Sequence, residues 1–553
     1  MERHQRTEYY IVNEGVYYYD QGKPICEIPS TRDEMRRFRF SRLFPRNLSA
    51  TDRSVPEVSP ELAAKLADAM TLPPAEQSIP DQPDSDIPAG YTYVGQFVDH
   101  DLTADRTRVS LGTQINIEDL LQGRSPALDL DCLYGLGPDH PDSAMFYQRD
   151  RARLLMGRTS AVPGLDAQDG FDLPRLPFLT ALPGTALIPD HRNDENLAVA
   201  QVHLAFIRFH NKVIADLGEV GTPSVTLFEK ARELVVKHYQ WMLRHDFLPR
   251  IVKRSIVDDV FTNGRRFFEA PGYIKPGDTP TMPVEFSVAA FRLGHSMIRG
   301  GYEWNAFFNF RGARPPEGKR IGPGSLELLF DFSGTSGSRI GPLTSTNPLP
   351  SNWIADFRRL FRLTDVPGGD PGLAAPADGF NVAKRIDTRL VEPLRELPEG
   401  AIGAPPGESV EPIARNLAFR NFMRAGMVSL ASGQQAAKFL QVPQLADKDI
   451  LDGNGAGANF RTLSAEEQDV LVKNTPLWLY VLREAELHGG ILDEVGGRIV
   501  AEVFHRAMEG SRYSIVTDPS FRPTLGPEPG SFGMPHLLLY AFEGRADRLA
   551  PAQ

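Results

Sequence analysis

Cysteine is nearly absent from this chain. Only Cys26 and Cys132 occur in 553 residues, so no disulfide framework and no cysteine-based metal site is visible, and the count suits a reducing compartment. Positive charge is outweighed: 60 Lys and Arg stand against 71 Asp and Glu, a formal net charge of −11, which argues against a nucleic-acid partner. No run of 18 apolar residues exists, so no transmembrane segment is expected. The polar start, Met1 to Arg6, is followed by no apolar stretch of the kind a secretory signal carries. The expected location is therefore the cytoplasm, or outside it by export without a typical signal peptide. No dinucleotide fingerprint is found. Gly453-Asn454-Gly455-Ala456-Gly457 lacks a preceding strand and the right spacing. No internal repeat is visible, and nothing in the sequence fixes an oligomeric state.

What is present is enough apolar residue, 41%, for a sizeable core, with 46 Pro and 48 Gly implying many loops. Residues 1–87 read as an extension and linker. Within them Glu8 to Tyr19 predicts a strand pair broken at Glu14-Gly15, and Glu57 to Met70 predicts a helix. Arg36 to Arg46 alternates Arg with Phe and Leu. A strip packed on the main domain with its charges solvated is favoured there over a membrane- or partner-binding strip. Further helices are predicted from about Asn193 to Gly218, with Asn193 as N-cap, and over Thr226 to Phe247. Others are expected at Phe286 to Ile298, Trp353 to Leu363, Ile413 to Met427, Leu463 to Leu487 and Val495 to Met508.

Four stretches carry chemistry. In Gly95-Gln96-Phe97-Val98-Asp99-His100-Asp101, helical spacing puts Gln96, Asp99 and His100 on one face. An amide, a carboxylate and an imidazole are costly to bury among Val94, Phe97, Val98 and Leu102 unless they are used. On those residues alone, a satisfied polar patch is the alternative. Arg192 and Glu195 stand three apart at the mouth of the next long helix; capping accounts for Glu195 and not for Arg192. His295 sits on an almost wholly apolar stretch with Arg292 on its face. Gly294 beside it removes a side chain, which lets a flat ligand approach. Asn421 and Arg424 are three apart on a later helix.

Taken in order, Gly95 to Asp101, Arg192-Asn193-Asp194-Glu195, Arg292-Leu293-Gly294-His295 and Asn421-Phe422-Met423-Arg424 resemble the haem-site motifs of the animal-type haem peroxidases, the peroxidase–cyclooxygenase superfamily. Ser432-Gly433-Gln434 and the stretch Gly496 to Glu502 add to the resemblance, and the chain looks like a bacterial-style member. The resemblance implies a mostly α fold: a single large helical domain over 88–541 with very little β-sheet, followed by a tail at 542–553. It implies haem b as cofactor, with His295 as the iron ligand and Asn421 holding its other ring nitrogen. His100 would move the proton of hydrogen peroxide, Arg192 would stabilise developing charge, and Gln96 would lie over the same pocket. Arg292 and Arg424 match cofactor-binding positions. Asp99 and Glu195 match the carboxylates that form ester links to haem in vertebrate members. Asn196 stands where some members have a Met, so no sulfonium link is expected.

Asp101 matches a family calcium ligand, and Ser125, Ala127, Asp129 and Asp131 have the alternate spacing of the partner loop before Tyr134-Gly135. A solvated acidic loop is the equal alternative there. The implied reaction is the oxidation of halides or small organic donors by hydrogen peroxide. A fatty-acid dioxygenase of the cyclooxygenase type is the alternative. Such enzymes carry a tyrosine three residues before the proximal histidine, where this chain has Arg292. A non-catalytic interaction module that keeps the fold is disfavoured by the complete set His100, Arg192, His295 and Asn421.

Overall fold

Helices dominate because apolar residues recur at helical spacing through most of the long segments. The structure is a computed structural model that describes residues 16–20, 23–27, 38–45, 58–71, 85–105, 107, 109–176, 184–218, 223–274, 278–310, 322–333, 348–366, 370–376, 379–397, 410–526 and 528–552. Among the described residues, the helices of at least eight residues are α1 (Pro60–Met70), α2 (Gly90–Leu102), α3 (Leu197–Leu217), α4 (Ser224–Met242), α5 (Arg254–Asn263), α6 (Leu417–Met427), α7 (Gly433–Leu440), α8 (Ala465–Lys473), α9 (Leu477–Leu487), α10 (Glu494–Glu509) and α11 (Met534–Ala541). None of them is long and apolar enough to cross a membrane. Among the described residues, sheet is confined to two-stranded pieces. The mostly helical fold with very little sheet is therefore as expected.

Buried apolar side chains from Leu43 to Ala552 form one continuous cluster. At its centre α2 packs on α3, and Phe97 stacks on Phe206 with ring centroids 4.5 Å apart and planes 4° apart. Tyr239 of α4 stands edge-on to both rings. Such aromatic pairs add about 0.5–1.5 kcal/mol each beyond the area they bury. The terminal segments belong to this core too. Leu43 and Phe44 are buried, their backbone N–H groups donating to the Glu285 carboxylate at 2.9 and 3.3 Å. Leu549 and Ala552 are buried at the other end. The described part of the Arg-rich strip thus packs on the main body, as its alternation suggested.

Several local expectations are corrected. The first arm of the strand pair in Glu8 to Tyr19 lies outside the described residues, and Val16–Asp20 pairs with Lys23–Glu27 instead. Leu463 to Leu487 is two helices. Ser464 closes a capping box on α8, and the chain breaks before Pro476, which cannot continue a helix. Trp353 to Leu363 forms separate 3₁₀ turns, Ser351–Trp353 and Phe357–Arg359. Phe286 to Ile298 is no single α-helix. It runs as a π turn (Glu285–Ala289), a 3₁₀ turn (Ala290–Leu293) and a short α turn (Gly294–Met297). The wide turn lets Phe286 and Phe291 stack at 4.7 Å, and the two turns after it carry Arg292 and His295.

Candidate active site

α2 starts at a close contact. A Cβ on Gly90 would fall 2.2 Å from the Phe361 ring, so glycine is needed there. The helix stops at Thr103, which turns extended while its Oγ1 donates to the Asp99 carbonyl at 3.0 Å. Between these ends most side chains are buried, but Gln96 and Asp99 keep partial access, and His100 is 5% exposed. The shared face expected from spacing is thus one wall of an opening.

Arg192 comes to this face from a 3₁₀ turn, His191–Asp194, ahead of α3. Its Nη2 donates to the carbonyls of His100 and Thr103 at 3.1 and 2.7 Å, at the end of α2 where carbonyls lack helical partners. Asp190 holds the guanidinium from behind, accepting from Nε at 3.0 Å and from Nη2 at 2.6 Å. Asp190 is fully buried. Burial alone would raise its carboxyl, but Arg192 and Arg124 outweigh burial and hold it well below the usual range. Arg124 reaches Asp190 at 2.9 Å on one side and Asp131 at 3.2 Å on the other. A ladder of alternating charge, Asp131, Arg124, Asp190, Arg192, runs through the interior.

Glu195 accepts a hydrogen bond from Gln96 Nε2, and its Oε1 lies 3.7 Å from His100 Nε2. Burial pushes its carboxyl up to about 7, against the pull of Arg192 and Gln96. The helix cap is Asn196 rather than Asn193. Asn196 accepts from the Val199 N–H at 3.0 Å, and its amide donates to Gln96 Oε1 at 2.9 Å. Asn193 falls one turn too early to cap α3, and its side chain turns to His100 Nδ1 at 2.9 Å.

On the other wall, His295 Nδ1 lies 3.0 Å from the Asn421 amide nitrogen of α6. Burial first, then Arg292 and Arg424, lower this imidazole to about 3, so the ring is neutral. The expectation had the Asn421 carbonyl accepting the ring N–H. The two amide orientations fill the same shape. Trp478 stands edge-on to the ring at 6.5 Å and donates to the Arg292 carbonyl at 3.2 Å. Arg292 donates to the Ser287 carbonyl at 2.8 Å, and its Nη1 lies 3.8 Å from Asp99 Oδ2, which ties the two walls together. Arg424 feels Asp105, Arg292 and Asp99 electrostatically.

Residues 183–316 match the family model for animal haem peroxidase. Over those residues the chain is similar to an animal haem peroxidase domain. A peroxidase-like protein of Margaritifera margaritifera is 30% identical over 144 residues, 25% of this chain and 16% of that protein. Thyroid peroxidase of Mus musculus is 29% identical over 192 residues, 32% of this chain and 19% of that protein. The matches thus span under a fifth of these relatives' own lengths. Peroxidase A of Dictyostelium discoideum shares the fold with a TM-score of 0.54 at 15% identity, covering 86% of this chain and 88% of that one. A fatty acid α-dioxygenase of Oryza sativa shares it with a TM-score of 0.54 at 13% identity, covering 82% and 73%.

A haem peroxidase domain needs room for a flat ring with two carboxylate arms, and the residues present fit one. A Cβ on Gly294 would meet nothing within 4 Å. His295 and Arg292 keep partial access and Arg424 is exposed. Among the described residues, His295 Nε2 has no hydrogen-bond partner. The guanidiniums of Arg292 and Arg424 suit carboxylates. The calcium residues also converge. Carboxylate oxygens of Asp101, Asp129 and Asp131 lie within 4.8 Å of one another. Ser125 Oγ donates to Asp129 at 3.2 Å, and its N–H donates to Asp131 at 3.0 Å. Burial first, then Asp131, push Asp129 up to about 7. Asp129 Oδ1 is buried without a hydrogen-bond partner. These carboxylates are short of positive charge, which suits a hard cation.

The structure therefore brings every expected site residue to one of two places. It adds Asp190 and Arg124, to which sequence reading gave no role, and it turns Asn193, read as a helix cap, toward His100. Asp190, two residues before Arg192, was the one signal available for its clamp.

Proposed function

We propose that this chain is a haem-dependent peroxidase that uses hydrogen peroxide to oxidise halides or small organic donors. The observation that carries this reading is the pairing of His100 beside a clamped Arg192 with a neutral His295 backed by Asn421. Haem b, when bound, supplies the iron that takes up peroxide and the oxidising equivalents that pass to the donor. His295 would hold it through Nε2. The Asn421 carbonyl orientation serves this, because it keeps the ring proton on Nδ1. His100 takes a proton from peroxide and returns it to the departing oxygen. Arg192 offers fixed positive charge to the departing oxygen at no cost in reorganisation, since Asp190 already holds it. Arg292 and Arg424 would hold the carboxylate arms, and Gln96 would lie over the reacting face. Asp99 and Glu195 would be the carboxylates that form ester links, and Asn196 would form none to sulfur.

Asp101, Ser125, Asp129 and Asp131 would hold calcium. A ligand at a hundred times its Kd adds about 2.7 kcal/mol of stability. Chelation should therefore lower Tm by about 2 °C, and readdition of calcium should restore it. A Tm indifferent to chelator, in protein whose elemental analysis shows no calcium, would return these residues to a purely structural role.

The reading itself is tested by a steady-state screen of halides, phenols and polyunsaturated fatty acids with haem-loaded protein. Peroxide-dependent oxidation of small donors or halides is expected, with oxygen uptake on fatty acids at background. The guanidinium of Arg292 cannot relay a single electron as a tyrosine does. Tyr302 does not replace it, because its hydroxyl is buried against Tyr93 at 3.1 Å. Haem-dependent, stoichiometric oxygenation of a fatty acid would select the dioxygenase alternative.

A further inference from the structure

Behind His100 the interior holds a polar chain that the peroxidase reading does not use. His100 Nδ1 lies 2.9 Å from Asn193 Oδ1, and Asn193 Nδ2 lies 2.9 Å from His203 Nδ1. All three side chains are buried: His100 at 5% exposure, Asn193 and His203 at 0%. An amide at this position has two orientations of equal shape and opposite chemistry. With its oxygen toward His100, it accepts from Nδ1–H, and the ring's basic nitrogen is Nε2. With its nitrogen toward His100, the ring proton moves to Nε2 and His100 cannot take a proton there.

We propose that Asn193 and His203 are positioning residues that fix the proton of His100 on Nδ1, Asn193 by accepting it and His203 by holding the Asn193 amide the right way round. His203 sits on the inner face of α3, with Phe97 edge-on at 5.7 Å, so its ring is set by the helix and the core. Burial lowers His203 to about 3, so it is neutral and one ring nitrogen accepts. In the proposed arrangement the accepting nitrogen is Nδ1, which faces the Asn193 amide nitrogen at 2.9 Å, and Nε2 carries the proton, buried without a hydrogen-bond partner among the described residues. A buried polar group in this role acts through His100 and touches neither peroxide nor donor. The inference rests on the peroxidase reading, which assigns His100 its task.

Cyanide association with the ferric haem-loaded protein is the probe, alongside the rate of the first spectral change with peroxide. Hydrogen cyanide must lose its proton to bind as the anion, so its association rate reports the distal base without turnover. Asn193→Ala should slow both rates by about 10- to 100-fold, the usual loss when an outer hydrogen-bond partner of a working histidine is removed, while haem content and Tm stay near wild type. Asn193→Asp keeps an acceptor toward Nδ1 and should return both rates to within a few-fold of wild type. His203→Asn places an amide oxygen where Nδ1 was and should do the same, whereas His203→Leu should follow Asn193→Ala.

Wild-type rates in haem-loaded Asn193→Ala would overturn the proposal. Failure of Asn193→Asp to recover where Asn193→Ala has fallen would overturn the assigned orientation. Equal rates in His203→Asn and His203→Leu would remove His203 from the chain. If the peroxidase reading were itself wrong, the wild-type protein would take up no haem or would not react with peroxide, which is a different result from any of these.

Discussion

Replacing His100 with Ala will slow the reaction with hydrogen peroxide by about 10²- to 10⁴-fold, the usual contribution of a positioned acid–base group, and will leave haem bound. Peroxide is a weak acid, and breaking its O–O bond requires one oxygen to lose a proton and the other to gain one. His100 is the imidazole held at this face, and its ring is fixed by the packing of α2 on α3. Truncation removes the carrier and leaves the Arg192 clamp in place, because Arg192 bonds the His100 backbone carbonyl, which the substitution keeps. The loss should therefore appear in the rate and not in haem content. Stopped-flow mixing reads this directly. A first spectral change at the wild-type rate would mean that another group carries the proton, and Glu195, 3.7 Å from His100 Nε2, would be the first to examine.

His295→Ala should have the opposite profile. Most of the haem should be lost, or the Soret band should shift to that of a changed coordination, because the ring is the iron ligand in this reading. Ester links would complicate that result, since they form only under peroxide and then hold haem without the ligand. The measurement is therefore made before any peroxide is added. Acid–ketone extraction of peroxide-treated wild-type protein is the companion experiment. Haem that stays on the protein identifies Asp99 and Glu195 as attached. Complete extraction leaves them as a hydrogen-bonding and an ion-pairing carboxylate. An unchanged spectrum in His295→Ala would remove His295 as ligand.

Much of the helical architecture was legible because it rests on local patterns: the apolar spacing of α3, α4, α6 and α10, and polar residues set into otherwise apolar helices. The expected site residues were legible as an ordered set of motifs, each too short to decide alone. What failed was non-local. Asn193 is a good capping residue, and only the entry of the chain one turn earlier, with Asn196 taking the cap, turns its side chain toward His100. The stretch around His295 reads as a smooth apolar helix, because the stacking of Phe286 on Phe291 that accompanies its π turn is a matter of tertiary packing. Arg124 lies in a loop-dominated region, and its full burial between two carboxylates has no sequence signature.

That arginine has one more consequence. Arg124 and Asp190 are both fully buried, so water does not screen the ladder that joins Asp131 to Arg192. A cation bound at Asp131 would compete with Arg124 for the same carboxylate and would free its guanidinium to pull harder on Asp190. Asp190 would then share less of its charge with Arg192. A metal at one end and an anion at the other would in this way be joined by a coupling free energy, and such energies are typically about 1–3 kcal/mol. Thermodynamic reciprocity fixes the rest. Whatever factor the metal applies to anion binding beside Arg192, an anion bound there applies to the metal.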